Sequence, residues 1–501
     1  MNTMKRTNYK VNEIVFEKNI EQTIHMEISL PEYCGDISRV LHCFAFPNIS
    51  SSSISQEKIQ IEGNTLVRVL YMSEGELFSY EQSAAFSASI EHHCDQIGTI
   101  ADLSTYVQYV NCRAASSRKL EVSGAFSVAA KLSACREASV VASIEQEDIQ
   151  SQMDSLSACS ASGNAAASVN VAQVMDIGSD KVPMKSIIRA TAVPLLVETK
   201  QVSGKMLVKG ELKLKTLYKS EDNAVEYFEN TLPLSQILDI EGMDENSTVD
   251  IKLHLASLEV AMKPSALGNM SLLDIQASVA MQACAYDCID FPVLKDAYST
   301  EYECECSFKE VCVDKIITTL SKNYLHTFTL EQLADLTTVV DVWCEQRSVK
   351  ATAQDNQLII SGTLAAYVLY EDGSGALSLK ESESQYQIIE PIGEVSNVKC
   401  EPVMTVTGCD YRILENGLEI RADMHARAVV FECMNEKVID DITLGEETPN
   451  NAHSLFIYYA AQGERLWDIA RKFKTTVSSI MQENDLSEDS IVSNKALLIW
   501  G

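Results

Sequence analysis

Basic side chains are scarce in this chain of 501 residues, since 40 Lys and Arg stand against 71 Asp and Glu for a formal net charge of −31. A nucleic-acid-binding surface needs clustered Lys and Arg to contact phosphates, so the charge argues against nucleic acid as a partner. It also disfavours adsorption to an anionic membrane. The hydrophobic fraction of 46% is nevertheless ordinary for a globular protein.

Proline and glycine are also few, with 10 and 20 residues, which leaves little sequence for flexible linkers. No run of about 18 apolar residues occurs, so we expect no membrane insertion. Residues 1–10 are basic but no apolar segment follows them, so we expect no export signal. The chain is too long for one hydrophobic core, and at least three domains are expected.

The fifteen cysteines are irregularly spaced, which predicts free thiols in a reducing compartment and not a disulfide framework. Five of them fall within residues 284–312, but their spacing fits no common zinc finger. We therefore interpret them as reduced structural thiols, and we predict no metal site and no cofactor.

Common catalytic signatures are missing: the sequence contains no Walker A, dinucleotide-binding, zinc-protease or nucleophile-elbow motif. This predicts a protein that is not an enzyme. A carboxylate pair for glycoside hydrolysis needs only spatial proximity, so the sequence leaves that alternative open.

One strand pattern occurs three times, as an apolar segment with a glycine followed eight residues later by the tyrosine of a Leu-Tyr pair. The glycines are Gly63, Gly210 and Gly362, and the tyrosines are Tyr71, Tyr218 and Tyr370. A second apolar segment follows each copy, around Leu120, Leu273 and Leu418. Alternating apolar and polar residues are typical of half-buried strands, and glycine inside a strand indicates a bulge or a close backbone approach.

The fold class predicted from this pattern is mainly β, with three β-rich, sandwich-like repeat domains followed by a small β-α-α-β domain. The expected domains are residues 1–165, 166–312, 313–447 and 453–501. Residues 155–174, rich in Ala and Ser, are interpreted either as the first boundary or as an edge strand of small residues. Residues 232–238 and 325–336 are predicted to be short helices.

The last fifty residues show helical spacing. Leu466, Ile469, Ala470 and Phe473 fall on one face of a first predicted helix. A second helix follows Thr476, which is a plausible N-cap. Short apolar strands at residues 456–459 and 497–499 flank the two helices.

This segment resembles the LysM domain. Residues 462–466 stand at the family's Gly-Asp-Thr-Leu turn, and Asn484 stands at its near-invariant Asn. The resemblance implies binding of N-acetylglucosamine polymers in a groove formed by Gly463, Glu464, Arg465, Leu466, Ile491 and Val492. Arg465 replaces the family's usual Thr, and we expect its long side chain to narrow the groove.

The three repeats resemble SPOCS domains of spore-coat-associated proteins, and residues 30–41 (LPEYCGDISRVL) match that family's opening motif. Three such repeats followed by one LysM domain are similar to the SipL-like family of clostridial spore-morphogenesis proteins. The resemblance implies a scaffold in spore coat assembly that works in the mother-cell cytoplasm, at the forespore outer surface. It also implies that the LysM domain binds the SpoIVA-type morphogenetic ATPase, alongside other coat proteins.

Exposed aromatic and basic residues on the first predicted helix are candidates for that contact. They are Arg465, Trp467, Arg471, Lys472 and Lys474. A solvated helix face with ordinary basic residues near its C-terminus remains the alternative, particularly for Lys472 and Lys474. The alternative function is a cell-wall protein whose LysM domain binds peptidoglycan.

Overall fold

The structure, a computed structural model, describes residues 3–55, 57–92, 100–202, 204–331, 336–395, 397–415, 417–448, 454–486 and 495–500. Most of these residues lie in antiparallel strands. Three repeats form the body of the molecule, and the LysM-like segment follows them. The predicted fold class is confirmed.

The first repeat contains two three-stranded sheets, ordered β2-β3-β4 and β1-β6-β5. Apolar side chains from both sheets share one core, which makes the repeat a sandwich. Its strands are β1 (Thr3–Ser29), β2 (Arg39–Ile54), β3 (Lys58–Ser73), β4 (Glu76–Glu91), β5 (Ile100–Ser116) and β6 (Lys119–Glu145).

The second repeat has the same strand order, with sheets β8-β9-β10 and β7-β12-β11. Its strands are β7 (Ile149–Asp176), β8 (Met184–Val202), β9 (Lys205–Ser220), β10 (Val225–Leu238), β11 (Thr248–Lys263) and β12 (Leu272–Ser299).

The third repeat has the same arrangement with one additional short strand, which pairs with β19. Its strands are β13 (Tyr302–Glu331), β14 (Leu336–Gln354), β15 (Gln357–Asp372), β16 (Leu377–Pro391), β17 (Val398–Cys400), β18 (Val403–Leu414) and β19 (Gly417–Glu447).

The repeat glycines occupy positions that admit no side chain. A Cβ atom at Gly63, Gly210 or Gly362 would collide with a backbone oxygen of the neighbouring strand. In each repeat that neighbouring strand has a bulge beside the glycine, for example between Ile49 and Ser51. The prediction of a bulge or close backbone approach is therefore confirmed.

The three repeats meet around a common centre. The equivalent residues Leu70, Leu217 and Leu369 lie together in one buried apolar cluster that draws on all three repeats. A second shared cluster forms where the long strand pairs β1–β6, β7–β12 and β13–β19 extend beyond their own sandwiches. Because apolar surface from every repeat is buried in both clusters, the body is one packed unit.

The expected boundaries at 165/166 and 312/313 fall inside β7 and β13. Both strands pair along their length with a strand of the same repeat. The Ala- and Ser-rich residues 155–174 lie in β7, at the edge of its sheet, as the edge-strand interpretation predicted.

The two predicted body helices are wrong, because residues 232–238 lie in β10 and the described part of 325–336 lies in strands. Leu232 and Leu234 are buried while Thr231, Pro233 and Ser235 are exposed. This burial repeats every two residues, which is the period of a strand.

The expectation of free thiols is wrong for one pair of cysteines. Cys159 on β7 lies directly opposite Cys288 on β12, and the two form a disulfide. The antiparallel register brings their side chains together although 129 residues separate them in sequence. That long-range register is not readable from cysteine spacing.

Candidate functional site

The LysM-like unit is a two-stranded sheet packed on two short helices. Its elements are β20 (Leu455–Ala460), α1 (Leu466–Phe473), α2 (Val477–Glu483) and β21 (Lys495–Trp500), in the predicted β-α-α-β order. The predicted helix face is on the inside, since Leu466, Ile469 and Ala470 are buried against Leu497 and Ile499.

Local hydrogen bonds define the helix ends and join the helices to the sheet. Thr476 caps α2 as predicted, because its hydroxyl accepts from the Ser479 backbone N–H at 3.0 Å. Arg465 precedes α1 and makes no capping hydrogen bond. Asn484 joins α2 to β21, donating to the Leu498 carbonyl and accepting from the Leu498 N–H, both at 2.7 Å.

Two of the predicted partner-binding residues contact the body. The indole N–H of Trp467 donates to Asp296 Oδ2 at 2.8 Å, and Arg471 Nη1 donates to the two oxygens of the same carboxylate at 2.9 and 2.8 Å. Trp467 is consequently only 9% exposed. Helix periodicity leaves Trp467 outside the Leu466 face, but the residue belongs to the same buried cluster as the LysM core residues, together with Tyr298 of the body.

The other three predicted partner-binding residues make no described contact with the body, and Arg465 and Lys472 are exposed while Lys474 is partly buried. Arg465 is exposed and pairs with Asp468 three residues later, with N–O distances of 3.1 and 3.3 Å. The Lys472 ammonium lies 4.7 Å from the Tyr458 ring centre. Lys474 ends α1 in a left-handed conformation, with φ of 52°.

The predicted glycan groove is described only on one side, because Ile491 and Val492 lie outside the described residues. Gly463 has a φ of 87° and open space where a side chain would be. Glu464 accepts the Tyr458 hydroxyl at 2.6 Å, and the Leu466 side chain is fully buried. Since the Arg465 guanidinium pairs with Asp468 along α1, the described residues give no support to the expected narrowing of the groove.

An apolar surface that sequence analysis missed covers the outer face of the LysM sheet. It comprises Leu455, Ile457, Tyr459, Leu498 and Trp500, which are 49, 62, 80, 42 and 46% exposed. We call these five residues the outer sheet face. Leu455 pairs with Trp500 and Ile457 with Leu498, so the side chains are adjacent. One feature of the sequence could have predicted this surface. The strand β20 is apolar on both faces, and the two helices can cover only one of them.

A cavity of about 330 Å³ lies where the three repeats meet. Its lysines are paired with carboxylates: Lys252 with Asp102 at 2.7 Å, Lys399 with Asp314 at 3.1 Å, and Lys131 with Glu401. Two of these pairs join different repeats, so they connect the body at its centre. Within the described ranges, no group of three or more potential ligand side chains is placed to hold a metal ion.

No helix in the described part of the chain has the length and apolar composition needed to cross a bilayer.

Comparison with protein-family models gives three matched segments. The SipL, SPOCS domain model matches residues 36–115 and 183–263, which cover β2–β5 of the first repeat and β8–β11 of the second. The LysM domain model matches residues 458–500. Both are binding domains without a catalytic role.

A search of curated proteins and a search of solved structures each gave no significant match. The third repeat lies outside the matched segments. We assign it as a repeat of the same kind because it has the strand order of the two matched repeats. The chain therefore carries two segments that match the SipL, SPOCS domain and a C-terminal segment that matches the LysM domain, a domain content similar to that of a SipL-like protein.

Proposed function

We propose that this protein is a non-enzymatic scaffold of spore-envelope assembly, acting in the mother-cell cytoplasm at the forespore surface. Its LysM domain docks the SpoIVA-type coat-basement ATPase, and its body supplies contacts to other coat proteins. The combination of SPOCS and LysM domains fits a sporulation protein. Several binding modules on one chain raise the effective concentration at an assembling surface.

The observation that carries the docking proposal is the outer sheet face. Scattered exposed apolar side chains are normal, but adjacent ones that include a Tyr and a Trp are typical of protein-binding surfaces. Tyr459 is 80% exposed and Trp500 is 46% exposed. Both rings offer large contact area with few rotatable bonds to immobilise.

Charge supports the same location. The segment from residue 450 onward has six acidic and five basic residues, whereas the whole chain carries −31. The body therefore carries nearly all of the negative charge, and an acidic surface on a partner would be repelled less by the LysM domain than by the body. Arg465, Lys472 and Lys474 add basic groups on the same small domain, which favours encounter more than it adds affinity.

The test is binding of the purified full-length chain to the purified ATPase. We expect Tyr459→Ser and Trp500→Ser each to weaken binding by about 2 kcal/mol or more, roughly 30-fold, because hot-spot aromatics dominate such surfaces. Tyr33→Ser is the matched control, since Tyr33 is an 83% exposed tyrosine on the body. Equal affinity of all three variants and the wild type would show that the outer sheet face is not the docking surface.

The basic residues are tested separately. Arg465→Ala, Lys472→Ala and Lys474→Ala are expected to slow association and to reduce its dependence on salt, with smaller losses of affinity than the aromatic variants. A larger loss in the three basic variants than in Tyr459→Ser would move the proposed contact to α1.

Peptidoglycan binding is the second candidate function, favoured by the open space at Gly463. Saturable retention of the full chain on purified peptidoglycan, released by soluble N-acetylglucosamine oligomers, would support this function over docking of the ATPase.

A further inference from the structure

The LysM domain is attached to the body at two residues of β12. Asp296 accepts hydrogen bonds from the Trp467 indole and the Arg471 guanidinium, all between 2.8 and 2.9 Å. A β-bulge between Leu294 and Asp296 shifts the register at this point. Bulges redirect side chains, and this one lies directly beside the carboxylate that receives the LysM domain.

Tyr298 is the second residue of this attachment. Its ring meets the Trp467 ring edge to face, with centres 4.9 Å apart, and its hydroxyl donates to the Thr475 carbonyl at 2.8 Å. Burial raises the pKa of Tyr298 to about 12, so the phenol keeps the proton that it donates. Tyr298 belongs to the same buried cluster as the LysM core residues.

The partners are chemically matched. Arg471 and Trp467 are four residues apart on α1 and therefore neighbours on one helix face. Asp296 and Tyr298 are two residues apart on β12 and share one face of the strand. A carboxylate that accepts from a guanidinium forms a charge-assisted hydrogen bond, which is stronger than a neutral one. A third contact, between the Thr448 hydroxyl and the Glu301 carbonyl at 2.8 Å, holds the chain just before the LysM segment.

We infer that Asp296 and Tyr298 form a dedicated LysM attachment site, which holds the α1 face bearing Trp467 and Arg471 against the body. The partner of that α1 face is the body of the same chain. Trp467 and Arg471 are accordingly positioning residues, which hold the LysM domain in one orientation that leaves its outer sheet face exposed. A ligand that engages the Trp467 indole must first displace Asp296, whereas the Arg471 side chain is 47% exposed.

The test is ¹⁹F NMR of the full-length chain labelled with 5-fluorotryptophan, which gives one resonance for each of its three tryptophans. Trp467 reports the attachment site, buried Trp343 reports the body, and Trp500 reports the LysM sheet. Trp467→Phe assigns the first resonance. Asp296→Ala removes the accepting carboxylate, Asp296→Asn keeps one acceptor oxygen but no charge, and Asp290→Ala is the control at an exposed acid on the same strand.

We expect Asp296→Ala to move the Trp467 resonance toward its position in the urea-unfolded chain while Trp343 and Trp500 stay in place. Asp296→Asn should give a smaller shift in the same direction, and Asp290→Ala no shift. An unchanged Trp467 resonance in Asp296→Ala would overturn the inference. A shift of all three resonances would also overturn it, because Asp296 would then support the whole fold and not the attachment alone.

Discussion

The body and the LysM domain are stabilised in opposite ways. The body joins three repeats through apolar clusters that no repeat completes alone, and through ion pairs that cross between repeats. The LysM domain has its own small core and its own helix cap, and it contacts the body mainly through one carboxylate and one tyrosine. The difference indicates that the repeats are structurally interdependent while the LysM domain is an attached module.

One connection within the body is a buried ion pair at the shared cluster. Arg189 of the second repeat donates to Asp341 of the third, and their side chains are 5 and 2% exposed. Lys215 also pairs with Asp341 at 3.0 Å, and the Arg189 guanidinium lies 4.1 Å from the Trp343 ring centre. The net stability from such a pair is small because both charges lose their hydration, but removing one partner leaves the other charge buried and uncompensated.

The largest effect is expected for Asp341→Ala. It leaves Arg189 buried without its carboxylate, which costs about 3–5 kcal/mol of unfolding free energy. Urea denaturation followed by circular dichroism measures this, and the control is Glu13→Ala, whose partner Arg136 is about half exposed. The control should lose at most about 1 kcal/mol. Equal losses in the two variants would break the claim that the repeats depend on each other.

A second change separates the two regions. Leu466 is fully buried in the LysM core, so Leu466→Ala should cost the LysM domain about 2–5 kcal/mol while the body keeps its stability. The Trp500 and Trp343 resonances of the fluorotryptophan-labelled chain follow the two regions independently in a urea titration. Loss of body stability in Leu466→Ala would mean that the LysM domain is not a separate module.

A smaller effect within the LysM domain is expected for Asn484→Ala. The substitution leaves the Leu498 N–H and carbonyl without the side chain that bridges them to α2, at a cost of about 1–3 kcal/mol. The midpoint of the Trp500 transition measures the loss. An unchanged midpoint would show that packing of the helices, and not this bridge, holds the LysM sheet.

The smallest effect is a change in thiol reactivity where the two regions meet. A hydrogen bond from the Cys306 thiol and the charge of Arg471 lower the pKa of Cys304 to about 7. Its alkylation rate should therefore rise with pH through about 7 and level off above, since the thiolate is the nucleophile. Mass spectrometry at several pH values follows this rate, with exposed Cys135 as the comparison thiol.

Cys306→Ala should move the Cys304 profile to higher pH, toward the ordinary thiol value of about 8.5. Arg471→Ala should move the profile in the same direction, because the charge of Arg471 lowers the pKa of Cys304. A Cys304 profile that is the same in all three proteins would contradict the described contact between α1 and the body.

Much of the fold follows from local pattern. Alternation in β9 places Leu212 and Leu214 in the core, and the repeat glycines identify the close backbone approaches. The alternation ends at residues 216–220, which are all buried, because the second face of β9 packs against the other repeats. Alternation of apolar and polar residues predicts burial of one face of a strand only. Burial of the second face of β9 results from contacts between repeats, which the local sequence pattern does not contain.

The candidate site was predictable in part. Helix spacing identified Leu466, Ile469 and Ala470 of the LysM core and the Thr476 cap, but it did not predict that Trp467 is buried with them. The partner of Trp467 and Arg471, Asp296, is 175 residues from Arg471 in sequence, and nothing in the spacing of either segment joins the two. The outer sheet face was missed because every residue of β20 is apolar, so alternation does not tell its two faces apart.

The central claim is that the LysM domain binds a protein, and a competition titration tests it most directly. The full-length chain is titrated with the purified SpoIVA-type ATPase, alone and with a saturating concentration of soluble N-acetylglucosamine oligomers. We predict that the ATPase binds with unchanged affinity in both titrations and that binding is lost in Tyr459→Ser combined with Trp500→Ser. Tight oligomer binding together with no measurable ATPase binding would contradict the account.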